Sequence, residues 1–239
     1  MKIEVLADSE SVANRAAAVI AEEACQAVAE RGAFVLAVSG GHTPWKMLRA
    51  LADMTIPWQA VHIFQIDERV APAGHADRNL THLRESLESS PIRPEQIYAM
   101  PVESPELEAA ADCYADLLRR LAGAPAVIDL VHLGLGPDGH TASLVPGDPV
   151  LDVEVADVAL SGPYQGRRRM TLTYPILNRA RRVLWVVTGA DKAPMVDRLL
   201  AGDRGIPAGR VRSDRALLLA DCAAAPAHHS SKEGVGSCS

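Results

Sequence analysis

The residues best suited to acid–base chemistry lie between Gly134 and Leu144, in the segment Gly-Leu-Gly-Pro-Asp-Gly-His-Thr-Ala-Ser-Leu. This segment follows an apolar run at 127–133 that is typical of a strand buried on both faces. A histidine after such a glycine-rich turn is partly exposed and can take a proton from water. We therefore expect His140 to act as a general base and Asp138 to orient its imidazole. An ordinary loop histidine is the alternative, because the chain has eight histidines.

Ser143 follows His140 by three residues and could suggest a hydrolase nucleophile. The Gly-His-Thr-Ala-Ser sequence around it lacks the G-x-S-x-G spacing of a nucleophile elbow. We expect instead a serine within a helix, whose hydroxyl caps or bonds the helix backbone.

A second candidate site is the sequence Ser39-Gly40-Gly41-His42-Thr43-Pro44, which lies between an apolar run at 33–38 and a predicted helix at 44–52. Bare backbone N–H groups and two hydroxyls can face an anion at the start of that helix. This arrangement predicts a phosphate site that uses Ser39, Gly40, Gly41 and Thr43. Neither a Walker lysine nor a G-x-G-x-x-G pattern is present, so nucleotide binding by those motifs lacks support. A tight turn that needs glycine geometry is the alternative.

Three charged residues, Asp67-Glu68-Arg69, follow the apolar run 61–66, and Asn79 begins the next predicted helix. Residues just beyond the carboxyl end of a parallel strand face the ligand site. We therefore expect Asp67, Arg69 and Asn79 to contribute to binding, while alternation in an extended chain turns Glu68 the other way. Pairing of these charges on the surface is the alternative. Asp67 has no companion at metal-ligand spacing and the four cysteines lie far apart, so no metal site is predicted.

Further cations come later in the chain. Arg167-Arg168-Arg169 precedes a short predicted strand at 170–173, and Lys192 opens a helix after Gly189. Alternation sends Arg168 opposite to Arg167 and Arg169, and we favour Arg169 as the arginine that faces the pocket. A solvated run of charges is the alternative.

The elements that must position these residues alternate between apolar strands and amphipathic helices. Strands are predicted at 2–6, 33–38, 61–66, 127–133 and 182–188, and helices at 9–31, 44–52, 79–87, from about 106 to 121, and 191–200. The stretch 150–182 reads as short strands linked by turns. We expect an α/β fold with a mostly parallel, helix-covered sheet and a small extra strand region. One domain is predicted over residues 1–222, followed by a disordered tail at 223–239.

The composition bounds the possible functions. The chain has 239 residues, a net charge of −6 and 4% aromatic residues, which disfavours nucleic acid and anionic lipid as partners. Its apolar runs are far shorter than the roughly 20 residues of a membrane span, and no signal peptide is visible at the amino terminus. We therefore expect a cytoplasmic protein, a monomer or weak homo-oligomer, whose ligand is a small molecule.

Six ordered motifs across nearly the whole chain resemble the 6-phosphogluconolactonase family. They are Val38 to Pro44, Asp67 to Arg69, Asp77-Arg78-Asn79, Gly134 to Leu144, Arg169-Met170-Thr171-Leu172, and Val187 to Lys192. The resemblance implies a modified Rossmann-like fold and hydrolysis of 6-phosphoglucono-1,5-lactone to 6-phosphogluconate, a step of the oxidative pentose phosphate pathway, without metal or organic cofactor.

The resemblance also implies a role for each matched residue. His140 matches the proposed general base, with Asp138 orienting it, and Ser39, Gly40, Gly41 and Thr43 match the phosphate loop. Cationic positions that would hold phosphate or sugar oxygens are Arg69, Arg169 and Lys192, and Asp67 and Asn79 are included with the binding residues.

The same broad fold serves two rival functions. Glucosamine-6-phosphate deaminases resemble this chain but carry Phe-Asn-Glu after the equivalent histidine, whereas this chain has Thr-Ala-Ser after His140. Release of ammonia would discriminate the two activities. A sugar-phosphate sensor domain of a repressor would need a helix-turn-helix module, for which this chain has no spare segment.

Overall fold

The computed structural model of the chain describes residues 1–225, in which ten strands form two sheets. The strands are β1 (Lys2–Leu6), β2 (Phe34–Val38), β3 (Val61–Gln65), β4 (Asp67–Arg69), β5 (Ile97–Tyr98), β6 (Leu130–Leu133), β7 (Val158–Tyr164), β8 (Arg167–Leu172), β9 (Arg182–Val187) and β10 (Ala216–Asp221). Seven of them make a wholly parallel sheet in the order β1-β10-β9-β6-β2-β3-β5. The predicted α/β fold with a mostly parallel sheet is confirmed.

Helices cover both faces of the parallel sheet. They are α1 (Ser9–Arg31), α2 (His42–Ala52), α3 (Asn79–Ser86), α4 (Leu107–Ala122), α5 (Tyr174–Arg179) and α6 (Ala193–Leu200). Strand β9 shows the double burial: Val183 and Trp185 pack with α4, α5 and α6, whereas Leu184 packs with α1 and α2. Because both faces are covered, the strand sequence is apolar from Val183 to Val187 instead of alternating.

Helix α1 begins and ends where its sequence predicts. The side chain of Asp8 accepts a hydrogen bond from the N–H of Ser11 and so caps the first turn. Gly32 ends the helix in the left-handed region, with φ +80°, and donates its N–H to the carbonyl of Val28. This stop returns the chain to β2 after a single residue, Ala33.

The second sheet is antiparallel, has the order β4-β8-β7, and forms the extra strand region. The charged segment Asp67–Arg69, predicted as a strand end, is itself the edge strand β4 and pairs with β8. Strands β7 and β8 form a hairpin whose turn residues Gln165 and Gly166 both have positive φ, +51° and +78°. Two such residues are the signature of a type I′ hairpin turn.

Two strands of the large sheet were not predicted. Strand β5 has only two residues, and β10 lies inside the sheet between β1 and β9 with all six residues buried. The predicted strand at 127–133 is shorter in the structure, where β6 begins at Leu130. Within residues 1–225, no helix has the length and apolar character needed to cross a membrane.

The predicted tail falls mostly beyond the part of the chain that the structure describes. Residues 226–239 lie outside the described residues. Residues 223–225 form a turn against the end of β10, with Ala224 buried and its N–H bonded to Asp221. The boundary at residue 222 stays a prediction.

Candidate active site

A cavity of about 500 Å³ lies where loops from the large sheet meet the second sheet. Its walls come from the loops after β2, β6 and β9, from β4 and the start of α3, and from the β7–β8 hairpin. The lining residues that carry polar chemistry are Ser39, Gly40, Gly41, His42, Asp67, Arg69, Asn79, Gly136, His140, Tyr164, Gln165, Arg169 and Lys192. Nine of the eleven residues predicted for the site therefore share one cavity, the exceptions being Asp138 and Thr43.

His140 lines this cavity, and Asp138, which is not part of the lining, forms a hydrogen bond with its ring. The Nδ1 atom of His140 lies 2.6 Å from Oδ1 of Asp138, which also accepts the His140 N–H at 3.1 Å. Burial acts to raise the pKa of Asp138, but the hydrogen bonds from His140 outweigh it and hold that pKa below its usual value. Asp138 is therefore an ionised acceptor, so Nδ1 of His140 is the donor. In the neutral ring, Nε2 then carries the lone pair that a base requires.

The loop after β6 brings these two side chains together because Gly136 has no side chain. A Cβ at Gly136 would lie 2.0 Å from Nδ1 of His140 and 2.7 Å from Oδ1 of Asp138. The Gly136 N–H bonds to the carbonyl of His140 at 2.8 Å, which closes the loop on itself. Glycine is needed at this position because His140 and Asp138 approach the backbone closely, and not because the position has a special φ angle.

Arg69 and Arg169 face each other across the β4–β8 pair, where they are direct register partners. The Arg169 residue is only 4% exposed, its guanidinium lies 3.9 Å from Asp67, and Tyr164 packs on it at 5.0 Å. Burial is the main cause that lowers the pKa of Arg169, and the charge of Arg69 adds to it. Two guanidiniums in register at a partly dry surface favour the binding of an anion.

The structure decides among the three neighbouring arginines. Arg169 lines the cavity, whereas Arg168 lies 3.5 Å from Glu108 on the outside of the sheet. Arg167 lies 3.1 Å from Asp77 and away from the cavity lining. The preference for Arg169 on grounds of strand alternation agrees with this arrangement.

Asp67 is a buried carboxylate that ties three segments to the cavity. Oδ2 of Asp67 accepts the hydroxyl of Ser143 at 2.6 Å, and the side-chain amide of Asn79 donates to the Asp67 carbonyl at 3.0 Å. The expectation that Ser143 lies in a helix is wrong: residues 141–144 form a tight turn with Ala142 at φ +52°. Since its proton is directed to Asp67, the Ser143 hydroxyl holds the loop in place.

Glu68 points away from the cavity, as alternation predicted, and it is fully buried rather than on the surface. Its carboxylate accepts the N–H groups of Asn79 and Leu80 at 2.8 Å each and lies 3.1 Å from Nε of Arg78. It therefore fills the hydrogen-bonding needs of the first turn of α3. Glu68 fixes the position of Asn79 without lining the cavity.

The glycine loop after β2 lies against the same helix. A Cβ at Gly40 would lie 2.1 Å from Oδ1 of Asn79, so this position also requires close approach. The N–H of Ser39 donates to Nδ1 of His132 at 3.3 Å, and burial lowers the pKa of His132 to about 3, so this imidazole is neutral. The buried Ser39 hydroxyl has no hydrogen-bond partner among the described residues.

Thr43 and Lys192 differ in their placement. The hydroxyl of Thr43 lies 2.8 Å from that of Thr188 and is not part of the lining, whereas the neighbouring His42 is. Lys192 lines the cavity and lies 2.9 Å from Asp191, whose pKa is lowered by this contact. Within residues 1–225, no cluster of three His, Cys, Asp or Glu side chains could hold a metal ion.

Sequence reasoning missed Tyr164 and Gln165, which line the cavity from the tip of the β7–β8 hairpin. The Tyr164 hydroxyl lies 3.2 Å from Oδ2 of Asp138 and 3.4 Å from Nδ1 of His140. A Tyr-Gln-Gly turn between two strands predicts a hairpin but carries no signal that its tip reaches a loop some 25 residues away.

Comparison with known proteins agrees with this architecture. Residues 7–219 match the family described as glucosamine-6-phosphate isomerases/6-phosphogluconolactonase. The chain is 36% identical over 205 residues to a 6-phosphogluconolactonase of Synechocystis, covering 84% of this chain and 85% of that protein. It also superposes on the 6-phosphogluconolactonase of Thermotoga maritima with a TM-score of 0.82 and 26% identity, covering 92% and 98% of the two chains.

A monomeric glucosamine-6-phosphate deaminase has the same fold, with a TM-score of 0.82, 20% identity and coverage of 94% and 98%. The fold alone therefore does not separate the two activities. The sequence match and the fold together confirm the predicted relationship. The chain belongs to the family of glucosamine-6-phosphate isomerases and 6-phosphogluconolactonases.

Proposed function

We propose that this protein is a 6-phosphogluconolactonase, which hydrolyses 6-phosphoglucono-1,5-lactone to 6-phosphogluconate in the oxidative pentose phosphate pathway. The observation that carries the proposal is that one cavity contains an imidazole oriented by a carboxylate together with the cations Arg69, Arg169 and Lys192. The first group suits activation of water, and the cations suit a phosphate group. The names of the relatives support the same activity.

At the reacting end, His140 acts as the general base. Nε2 of His140 removes a proton from water as the water oxygen bonds to the lactone carbonyl carbon. The tetrahedral intermediate then collapses, the bond from the carbonyl carbon to the ring oxygen breaks, and the imidazolium returns its proton to that oxygen. Asp138 stabilises the imidazolium and keeps the proton of the resting ring on Nδ1.

At the other end, the phosphate group binds to cations and to donors that need an acceptor. Ser39 Oγ, Arg69 Nε and Arg169 Nε are buried and have no hydrogen-bond partner within the described part of the chain. Buried donors of this kind are normally satisfied, and phosphate oxygens would satisfy them. Binding energy at the phosphate then aligns the carbonyl with His140, so loss of a cation should affect turnover as well as affinity.

No covalent nucleophile is required for this reaction. A δ-lactone already reacts with water, so a positioned base and a fixed substrate account for catalysis. The hydroxyl of Ser143, three residues from His140, donates to Asp67 at 2.6 Å and is thereby occupied. Independence from a cofactor, a cytoplasmic location and the monomeric or weakly oligomeric state stay predictions.

The test compares wild type with His140→Asn on lactone that is generated in situ, against the spontaneous rate. Wild type should accelerate lactone disappearance, and the variant should lose about two to four orders of magnitude of that acceleration, the range for a general base. Glucosamine 6-phosphate is offered in parallel. Ammonia release without lactone hydrolysis would replace the proposal with a deaminase, and binding without either reaction would indicate a sensor.

A further inference from the structure

Tyr164 lies between the two halves of the cavity and touches both. Its hydroxyl is 3.2 Å from Oδ2 of Asp138, and its ring lies edge-on to the His140 ring with centroids 5.2 Å apart. The guanidinium carbon of Arg169 lies 5.0 Å from the centre of the same ring. One side chain therefore contacts the base, its orienting carboxylate and a predicted phosphate ligand.

The hydroxyl completes the hydrogen bonding of the Asp138 carboxylate. His140 donates to Oδ1 of Asp138, and the Tyr164 hydroxyl donates to Oδ2, because an ionised carboxylate can only accept. Burial, and next the charge of Asp138, raise the pKa of Tyr164, so its proton remains in place at neutral pH. With both oxygens engaged, the carboxylate cannot rotate away from Nδ1. Partners of this kind fix the tautomer and direction of an imidazole.

The rest of the hairpin tip holds Arg169. Nη2 of Arg169 donates to the side chain of Gln165 at 3.3 Å and lies 3.5 Å from the carbonyl of Tyr164. Gln165 has φ +51° as the first central residue of the type I′ turn between β7 and β8. The turn thus places the side chain of Gln165 and the carbonyl of Tyr164 beside the same guanidinium.

We propose that Tyr164 is a positioning residue that couples phosphate binding on Arg169 to the orientation of the Asp138–His140 pair. The inference rests on the proposed function for its kinetic consequence. A phosphate on the guanidinium fixes Arg169 against the ring, the ring fixes the hydroxyl, and the hydroxyl fixes the carboxylate that orients the base. The phosphate of the substrate would then promote the chemical step in addition to anchoring the molecule.

Two substitutions at Tyr164 separate the hydroxyl from the ring. Tyr164→Phe removes only the hydroxyl, and kcat should fall about fivefold with KM within about twofold, as expected for one hydrogen bond to a partly exposed carboxylate. Tyr164→Leu also removes the cation–π contact, so KM should additionally rise about fivefold. The matched control is Tyr98→Phe, which deletes a hydroxyl 2.9 Å from His62 and outside the cavity lining, and should leave both constants unchanged.

Two further measurements need no turnover. The nitrogen-15 shifts of the neutral His140 ring report its tautomer: wild type should carry the proton on Nδ1, and Tyr164→Phe should shift population toward Nε2–H. Titration calorimetry with inorganic phosphate should show about fivefold weaker binding for Tyr164→Leu. Tyr98→Phe should match wild type in both measurements.

The outcomes separate this inference from the proposed function. If Tyr164→Phe keeps the kcat and the His140 tautomer of wild type, the coupling is refuted whether or not Tyr164→Leu folds. If wild type does not hydrolyse the lactone, the proposed function fails, and the tautomer and phosphate measurements still decide whether Tyr164 positions the pair and supports Arg169.

Discussion

Replacing Gly136 with alanine should disable the site while leaving the fold intact. The added Cβ would lie 2.0 Å from Nδ1 and 2.2 Å from Cε1 of His140, where ordinary contact begins at 3.4 Å. The imidazole must therefore retreat by about 1.4 Å, and Asp138 Oδ1, at 2.7 Å from the new Cβ, must move as well. Because the two required displacements differ by about 0.7 Å, the 2.6 Å bond between the side chains should lengthen or bend and the imidazole should leave its observed position.

The expected loss follows from this displacement. Misplacing a catalytic group by about 1 Å costs about 100-fold in rate, so Gly136→Ala should lower kcat by about that factor, or about 2.7 kcal/mol in the barrier. KM should change little, because the atoms nearest the new Cβ belong to His140 and Asp138 and not to Arg69, Arg169 or Lys192. Initial rates of lactone disappearance, corrected for the spontaneous reaction, measure both constants.

The matched control is Gly134→Ala in the same loop. Gly134 lines the cavity, but a Cβ there meets no heavy atom within 4 Å and leaves His140 and Asp138 in place. Its kcat should therefore stay within about twofold of wild type, and any crowding of the substrate by the new methyl group would raise KM instead. Circular dichroism and thermal unfolding establish that both variants fold. If folded Gly136→Ala kept the kcat of wild type, the requirement for the observed contact between Asp138 and His140 would be refuted.

Two more substitutions test other parts of the structure. Arg169→Met should raise KM more than tenfold and also lower kcat. The control Arg168→Met, which changes the adjacent residue facing Glu108, should match wild type in the same assay. Equal effects of the two substitutions would contradict the assignment of Arg169 to the phosphate site. Burial lowers the pKa of His132 to about 3, so between about pH 3 and pH 6.5 the imidazole takes up a proton when the protein unfolds. The free energy of unfolding should therefore be unaffected by this group above about pH 6.5 and should decrease as the pH falls below it. Urea unfolding should show that the free energy of unfolding is about 2 kcal/mol lower near pH 5 than near pH 7.5 because of this group. The variant His132→Leu should lose this pH dependence. An unchanged pH dependence in the variant would show that the buried imidazole is not its source.

Much of the site was predictable because it depends on one rule of parallel sheets. Ser39, His140 and Lys192 each follow a strand of the large sheet, and the carboxyl ends of such strands meet at one edge. The apolar runs that precede them locate the strands, since a strand buried on both faces is apolar at nearly every position, with His132 of β6 an exception. The position of these residues along the chain was therefore enough to bring them together.

The remaining parts depend on contacts between segments that are remote in sequence. Ser143 bonds to Asp67, 76 residues away, and its helix-like Thr-Ala-Ser-Leu context gave the wrong local structure. Ala142 and Leu144 have high helix propensity, yet the segment forms a turn because a buried hydrogen bond from Ser143 holds it there. Strand β10 was missed for a related reason: its Ala-Leu-Leu-Leu-Ala sequence has the composition of a helix, and only its place between β1 and β9 makes it a strand.

Under the proposed function, the placement of Arg69 and Arg169 explains how the second sheet would contribute to substrate affinity. Cross-strand like charges destabilise an antiparallel pair, and here burial adds to the cost, as the lowered pKa of Arg169 indicates. Asp67, 3.9 Å from Arg169, balances only part of this charge because one carboxylate faces two guanidiniums. A dianionic phosphate bound against both guanidiniums would remove the repulsion. The free energy that this repulsion costs the unbound protein would then add to the affinity for the phosphate. Since a neutral sugar lactone cannot relieve that repulsion, the same two arginines that anchor the phosphate would also select for it.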